Sequence, residues 1–395
     1  MCRRKLVRKV FELKKIKFHE PYVTGNELNN LQSVFDQTHF YGAGKFTTIC
    51  ESKISAHTKC PNVLLTDSCT SALEIAALLI RDFEANQEVI LPSYTFSSTA
   101  SAFAKCGFRI KFAEIDPSNM MMDSADVNSK VSQNTAAIVM VHYAGICANI
   151  SEILEIVRGT DIVVIEDAAQ AYCSTYKGKS AGTLGDFGCF SFHETKNLHA
   201  GLSGALLVNN DTYAERARHV WERGTNRQQV LKGVVDKYSW VEIGGSFYPT
   251  ELQAAFLAAQ LDGLSDNLAK RKRIFFSYTR VFLSADVSDL NFTRVPSGST
   301  SNYHAFWVTF ASEQEANFVR KKMECLGCSL FIGYVPLHSS PVGLRLGNKT
   351  GDLAITEDMS TRILRLPLHT EMDEAQAVKL SEALLSTVTE FRNAF

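Results

Sequence analysis

With 395 residues, 45% of them apolar and 21% charged, and a formal net charge of −1, the chain reads as a globular protein too long for one ordinary core. The near-zero charge balance leaves out the basic footprint of a nucleic-acid binder, and no run is long and apolar enough to span a membrane. Ten cysteines without regular spacing give neither a metal framework nor a disulfide scaffold, and their number fits reduced thiols in a cytoplasm.

The chain opens on a basic extension, residues 1–17, in which Arg3, Arg4, Lys5, Arg8, Lys9, Lys14, Lys15 and Lys17 accompany a single acid, Glu12. It lacks the continuous apolar run of a secretory signal, and reads as a solvated tail or a contact for an anionic surface. From residue 63 to 210, short β-rich runs alternate with helical stretches. Strands are expected at Val63–Leu65, Glu88–Leu91, Ile110–Glu114, Ala136–His142, Asp161–Glu166, Gly188–Phe192 and Gly204–Val208. Continuous apolar runs such as Ile162-Val163-Val164-Ile165 imply burial on both faces, as in a mostly parallel sheet covered by helices. Helical spacing in Ser71–Ile80 and Glu152–Arg158 supplies the cover. The expectation is a large three-layer α/β domain over residues 18–255. One long helix is expected from Glu251 to Phe282. Further on, Ser312 with Glu315 reads as a capping box, and Asp373 with Gln376 opens a last helix. With strands at Tyr303–Phe310 and Ser329–Val335, this gives a smaller α+β domain over residues 256–395. The close pair Cys325 and Cys328 reads as two thiols near a helix end, and no metal site is expected.

In doubly wound sheets, functional groups gather at the carboxyl ends of strands. After the first strand, Ser68-Cys69-Thr70-Ser71 runs into a helix, offering amides and hydroxyls to a phosphate, although such residues also simply cap helices. The second strand ends near Phe96, an aromatic suited to a flat ring or to core packing. The fifth ends in Glu166-Asp167, where a buried carboxylate needs a cationic partner, either a protonated heterocycle or a buried Arg or Lys. The sixth leads to Lys196, and a buried amine loses its proton readily, as a Schiff base requires. Asp167 and Lys196 at successive strand ends describe a pyridoxal-phosphate site.

At these residues the sequence resembles the DegT/DnrJ sugar aminotransferases, within the fold-type I pyridoxal-phosphate enzymes. Its nearest likeness is to transaminases that make dTDP-4-amino-4,6-dideoxyhexoses. The stretches that carry the likeness are Leu64–Ala77, Leu91–Thr99, Val141–Gly145, Glu166–Gly178, Gly188–Asn197, Gly224–Arg227, Val235–Trp240 and Tyr334–His338. The resemblance implies that Lys196 carries pyridoxal 5′-phosphate and shuttles the proton, and that Asp167 holds the pyridine nitrogen. It implies Gln170 on the phenolic oxygen, Phe96 stacked on the ring, and Cys69, Thr70 and Ser191 on the phosphate. It further implies a homodimer with shared active sites, the crossing segments being Gly224–Arg227 and Ser246–Thr250. Asn226, Arg227, Tyr334 and His338 are the candidates for substrate contact. The substrates implied are L-glutamate and a keto-sugar nucleotide, most closely dTDP-4-keto-6-deoxyglucose giving the galacto product.

Two departures stand out. Relatives carry Gly-Gly-Glu-Gly-Gly after the lysine, where this chain reads Gly201-Leu202-Ser203-Gly204-Ala205, and Ser246 replaces a partner-subunit asparagine on the phosphate. His142 and Tyr143 suit the site and the core equally, and His193 reads as structural. Three alternatives remain at this level. They are amination at C-3, a dehydratase (which would carry histidine in place of Lys196), and a non-catalytic binding protein that keeps the fold.

Overall fold

Seven strands, each within two residues of the run expected for it, form one sheet: β1 (Val63–Thr66), β2 (Glu88–Pro92), β3 (Arg109–Ala113), β4 (Thr135–Val141), β5 (Val163–Asp167), β6 (Phe187–Ser191) and β7 (Gly204–Val208). The computed structural model describes residues 15–285, 287 and 289–394; the basic residues of 1–14 lie outside them. The sheet order is β1-β7-β6-β5-β4-β2-β3. Only β7 runs antiparallel to its neighbours; the pairs β6–β5, β5–β4, β4–β2 and β2–β3 are parallel.

Alternation along the strands fills two layers. Leu64, Ile165, Phe187, Cys189, Leu206 and Val208 face a core shared with helix α2 (Cys69–Ile80). Val63, Leu65, Phe190, Ala205 and Leu207 face the opposite core, packed by helix α1 (Lys45–Thr58) and helix α4 (Glu251–Asp262). Helix α3 (Ser97–Lys105) follows β2, and the helix expected at Glu152–Arg158 spans Ile150–Ile156.

The long helix expected from Glu251 to Phe282 is two. The first, α4, opens with a reciprocal box between Thr250 and Gln253 and stops at Gly263; α5 (Leu264–Ser284) then carries on. A Cβ at Gly263 would lie 2.5 Å from Thr24 Cγ2 and 2.9 Å from Tyr22 Oη, so the break is fixed by the distant chain packed against it. Beyond it, α5 puts Ile274, Phe275, Tyr278 and Phe282 into a separate core.

That core surrounds an antiparallel sheet of β8 (Asn291–Phe292), β9 (Phe306–Thr309), β10 (Phe331–Ile332) and β11 (Ile363–Leu366), in the order β8-β9-β11-β10. Helices α6 (Glu313–Cys325) and α7 (Glu374–Ala394) pack on it. Asp373 and Gln376 form a reciprocal capping box. Ser312 caps Glu315, but Glu315 returns its bond to Ala311 rather than to Ser312. Cys325 closes α6 at the surface and Cys328 is buried.

The first described residues do not form a free tail. Ile16 is buried in the smaller core and bridges to Cys328, and the Phe18 ring lies 4.3 Å from that of Phe331. Four residues later Tyr22 donates to Asp266 and its carbonyl accepts from Gln260 and His199, on the side of the larger sheet. Residues 16–22 thus touch both cores, Ile16 the smaller one and Tyr22 the larger one.

Candidate active site

The carboxyl ends of β1, β2, β5 and β6 border one cavity of about 430 Å³, where the doubly wound architecture collects its functional groups. Ser68, Cys69 and Thr70 come from the start of α2, Thr95 and Phe96 from the end of β2, Asp167 and Gln170 from β5, and Ser191, His193 and Lys196 from β6. The remaining wall includes Arg271 of α5, His304, Tyr334, and Arg365 of β11.

Period-2 geometry sends the two acids of β5 apart. Glu166 is a structural clamp. It accepts from the amides of Gly182, Leu184 and Gly185, and His142, whose Nδ1 accepts from Ala148, donates to it from Nε2 at 2.8 Å. Asp167 is also buried, but its Oδ2 accepts from Thr99 at 2.7 Å and its Oδ1 from the Ala169 amide at 3.2 Å. Burial pushes its carboxyl up, against the pull of those bonds and of the Lys196 charge. It has no cation within ion-pair distance among the described residues.

Lys196 sits on the connection from β6 to β7. That connection folds back on itself through Phe192 N to Ser203 O, Glu194 N to Gly201 O, and Lys196 N to His193 O. The side chain is half-buried, and burial pushes its ammonium down to about 8, with Arg365 adding to the depression and Cys69 and Asp167 opposing it. The departure in this connection is absorbed locally. Ser203 is buried and donates to the Thr66 carbonyl at 3.0 Å, and a Cβ at Gly204 would lie 2.5 Å from the Cys69 nitrogen.

At the start of α2, the Ser68 hydroxyl takes the Ser71 amide, leaving those of Cys69 and Thr70 without an intrahelical acceptor. Burial, reinforced by Asp167, pushes the Cys69 thiol up, so it stays neutral. The Gln170 carboxamide is held at both ends, by the Ala144 amide and by the Tyr334 hydroxyl, each at 2.7 Å. Phe96 is 60% exposed on the cavity wall. A buried carboxylate short of a cation, helix-terminal amides beside hydroxyls, and a readily deprotonated amine fit the pyridine, phosphate and aldehyde of pyridoxal phosphate in turn.

Not every expected residue borders this cavity. His338 is buried elsewhere, between Ser93 and Glu357. Arg227 pairs with Glu222 and Tyr41, and Asn226 is tied to Lys237 and Ser239. Tyr143 is buried against Tyr94, whereas His193 reaches the cavity edge, its Nδ1 taking the Thr195 amide. Thr99, Arg271, His304 and Arg365 were missed. For Thr99 a signal existed: one turn into the helix after β2, a threonine can meet the acid at the end of a neighbouring strand.

A family model described as the DegT/DnrJ/EryC1/StrS aminotransferase family matches residues 21–385. A GDP-perosamine synthase of Caulobacter vibrioides is 28% identical, covering 94% of this chain and 98% of its own. A dTDP-4-dehydro-2,3,6-trideoxy-D-glucose 4-aminotransferase of Saccharopolyspora spinosa is also 28% identical, with 94% and 97% covered. A protein of Geobacillus stearothermophilus called pleiotropic regulatory protein is 30% identical, with 89% and 91% covered. Among solved structures, the aminotransferase TlmJ of Streptoalloteichus hindustanus superposes with a TM-score of 0.86 at 25% identity, covering 96% of this chain and all of that one.

Proposed function

This chain belongs to the DegT/DnrJ/EryC1/StrS aminotransferase family, and on that premise we propose that it aminates a nucleotide-linked keto-sugar with L-glutamate as donor. It is an aminotransferase of fold type I and its cofactor is pyridoxal 5′-phosphate. The observation that carries the reading is that Asp167, at the end of β5, and Lys196, on the connection that leaves the neighbouring β6, border one cavity.

When bound, the cofactor supplies an electron sink for the carbon that loses its proton. Asp167, anchored by Thr99 and Ala169, holds a proton at the ring nitrogen and gains there the cation it lacks. Cys69, Thr70 and Ser191 would hold the phosphate, and Phe96 would pack against the ring. The Gln170 amide nitrogen gives one proton to Tyr334 and would have the other free for the phenolic oxygen. The Lys196 amine, depressed enough to be partly neutral near pH 8, takes and returns the proton at the substrate carbon.

For the substrate we propose dTDP-4-keto-6-deoxyglucose, aminated at C-4 to the galacto product. The relative named as a dTDP-sugar 4-aminotransferase supports C-4. Tyr334 borders the cavity and is assigned to the sugar. Asn226 and Arg227, remote from their own cavity, are assigned to that of a second subunit in a homodimer. Nine described cysteines are free thiols and no described helix is long and apolar enough to cross a membrane; we place the enzyme in the cytoplasm.

The test is to incubate purified enzyme with L-glutamate and dTDP-4-keto-6-deoxyglucose and to read the product by NMR. A C-4 galacto amine is expected, with no product from Lys196→Ala. A C-3 amine would move the chemistry along the ring. The relative called a regulatory protein keeps a binding role in view. That role gains if no amino donor, and no aminated sugar in reverse, alters the cofactor spectrum.

A further inference from the structure

Another cavity, of about 270 Å³, shares no lining residue with the catalytic one. Tyr143 and Trp307 of β9 are buried residues of its lining, and Lys177 and Arg294 are exposed ones. The two cations come from separate parts of the chain, Lys177 from the turn of a hairpin over residues 175–180 and Arg294 from the stretch after β8. No acid among the described residues borders the cavity. Asp116 and Glu152, bonded to the lining residues Asn119 and Asn149, also take the Ser118 amide and the Ser124 hydroxyl. Among the described residues the Arg294 guanidinium makes no hydrogen bond and no ion pair, and lies 4.6 Å from the Phe292 ring. The Lys177 ammonium donates to the Ser151 hydroxyl at 3.1 Å, lies 5.0 Å from the Tyr176 ring, and has no ion pair there either. Its backbone holds a left-handed φ of 49°, uncommon for a residue with a long side chain, and its amide is fixed on the Gly298 carbonyl at 2.9 Å.

One solvated cation needs no partner. Two of them, from separate elements, on an acid-free cavity with aromatic residues in its lining, match an anion carried on a ring. A guanidinium and an ammonium suit phosphate oxygens, and Tyr143 and Trp307 offer the ring an apolar surface. The cavity is also one peptide away from the catalytic pocket. The Tyr143 hydroxyl meets that of Tyr94 at 3.3 Å, and the next amide, of Ala144, holds the Gln170 carboxamide at 2.7 Å. Gln170 borders the catalytic cavity and donates to Tyr334 there. A ligand resting on Tyr143 therefore bears on the residue assigned to the phenolic oxygen of the cofactor. We propose that this cavity is an effector site for a phosphate monoester carried on a ring, a sugar phosphate or a nucleoside monophosphate, with Lys177 and Arg294 on the phosphate. The proposal goes beyond the catalytic reading, and its binding step does not depend on turnover.

The test is calorimetry on the holoenzyme, so that the cofactor fills its own phosphate site, with dTDP at saturation to occupy the nucleotide part of the substrate site. The probes are glucose 1-phosphate, dTMP and inorganic phosphate, and the proteins are wild type, Lys177→Gln, Arg294→Gln, Lys177→Arg and the double Gln variant. One ring phosphate should bind wild type at a single site per chain, more tightly than inorganic phosphate does. A preference for glucose 1-phosphate assigns the site to sugar phosphates, and a preference for dTMP assigns it to nucleoside monophosphates. Each Gln substitution should weaken binding about tenfold, as the loss of one charge-assisted contact at an exposed position does. The double variant should not bind measurably, while Lys177→Arg, which keeps the charge, should bind close to wild type. All variants should melt as wild type does and keep its cofactor absorbance band. In wild type that band should shift when the ring phosphate binds, because Gln170 is disturbed; in the double variant it should stay still. The site is overturned if neither ring phosphate binds, if inorganic phosphate binds as tightly as they do, or if the Gln substitutions leave binding unchanged. Binding that leaves the cofactor band of wild type unmoved would overturn the effector role. An enzyme that binds the ring phosphate but transfers no amine would sink the catalytic reading alone.

Discussion

Lys196 costs the fold something in its charged state, because burial lowers its ammonium from 10.5 to about 8. Between those values the unfolded chain holds a proton that the folded chain has released, so stability rises with pH across that window. Below it both states are charged and the full cost is present. Cofactor-free Lys196→Met is therefore expected to unfold less readily than cofactor-free wild type near neutral pH, by up to about 3 kcal/mol. The gap should narrow as pH climbs past 8, in thermal melts of the two proteins side by side. A gap independent of pH would mean that Lys196 titrates as an exposed amine. The places of Asp167, at the end of a buried strand, and of Lys196, a few residues past the next one, were legible in the sequence, because an idle charge there would be costly. Arg365 was not: in Ile363-Leu364-Arg365-Leu366 a charge amid apolar neighbours looks like an outward-facing residue of an edge strand. Arg271 likewise passes for a solvated charge on a helix. His338 is a like case, since sequence does not tell a histidine facing a cavity from one held between Ser93 and Glu357.

Elements were read well where local pattern decides them and poorly where remote packing does. All seven strands of the large sheet follow from short apolar runs, and their ends are set by the residues that turn away. The α4–α5 break has no strong local signal, since one glycine in a helical run is tolerated. What forbids continuation is Thr24 and Tyr22 pressed against position 263. The backbone there has a negative φ that any residue adopts, so space and not conformation is the constraint. Gly263→Ala is expected to lower stability by about 1–3 kcal/mol, seen as a fall in the urea midpoint. The cofactor spectrum should change little, because the strain falls on Thr24 and Tyr22 rather than on Lys196. A midpoint unchanged from wild type would show that these neighbours yield freely.

On the scale of the whole molecule, residues 231–243 carry an unusual density of exposed apolar side chains, among them Val234, Tyr238, Trp240 at 77%, Val241 and Ile243. Apolar surface on this scale marks a contact with another protein, and the proposed homodimer supplies one. Trp240→Asp should halve the molar mass measured by light scattering and weaken activity with it; a wild type that is monomeric at working concentration would count against shared sites. The fold class was legible in full, but one tie between the two sheets was not: it lies in residues 16–22, of which the sequence marked 16 and 17 as the end of a basic extension. Ile16 is sewn into the smaller core, Phe18 and His19 edge the cavity, and Tyr22 is fastened beside α4 and α5. This short run is a stitch across the seam between the two sheets, and the active site lies along that seam. Whatever is done to the chain upstream, by a fusion tag, a cut or a bound partner, thus pulls on a thread that ends at the mouth of the catalytic chamber.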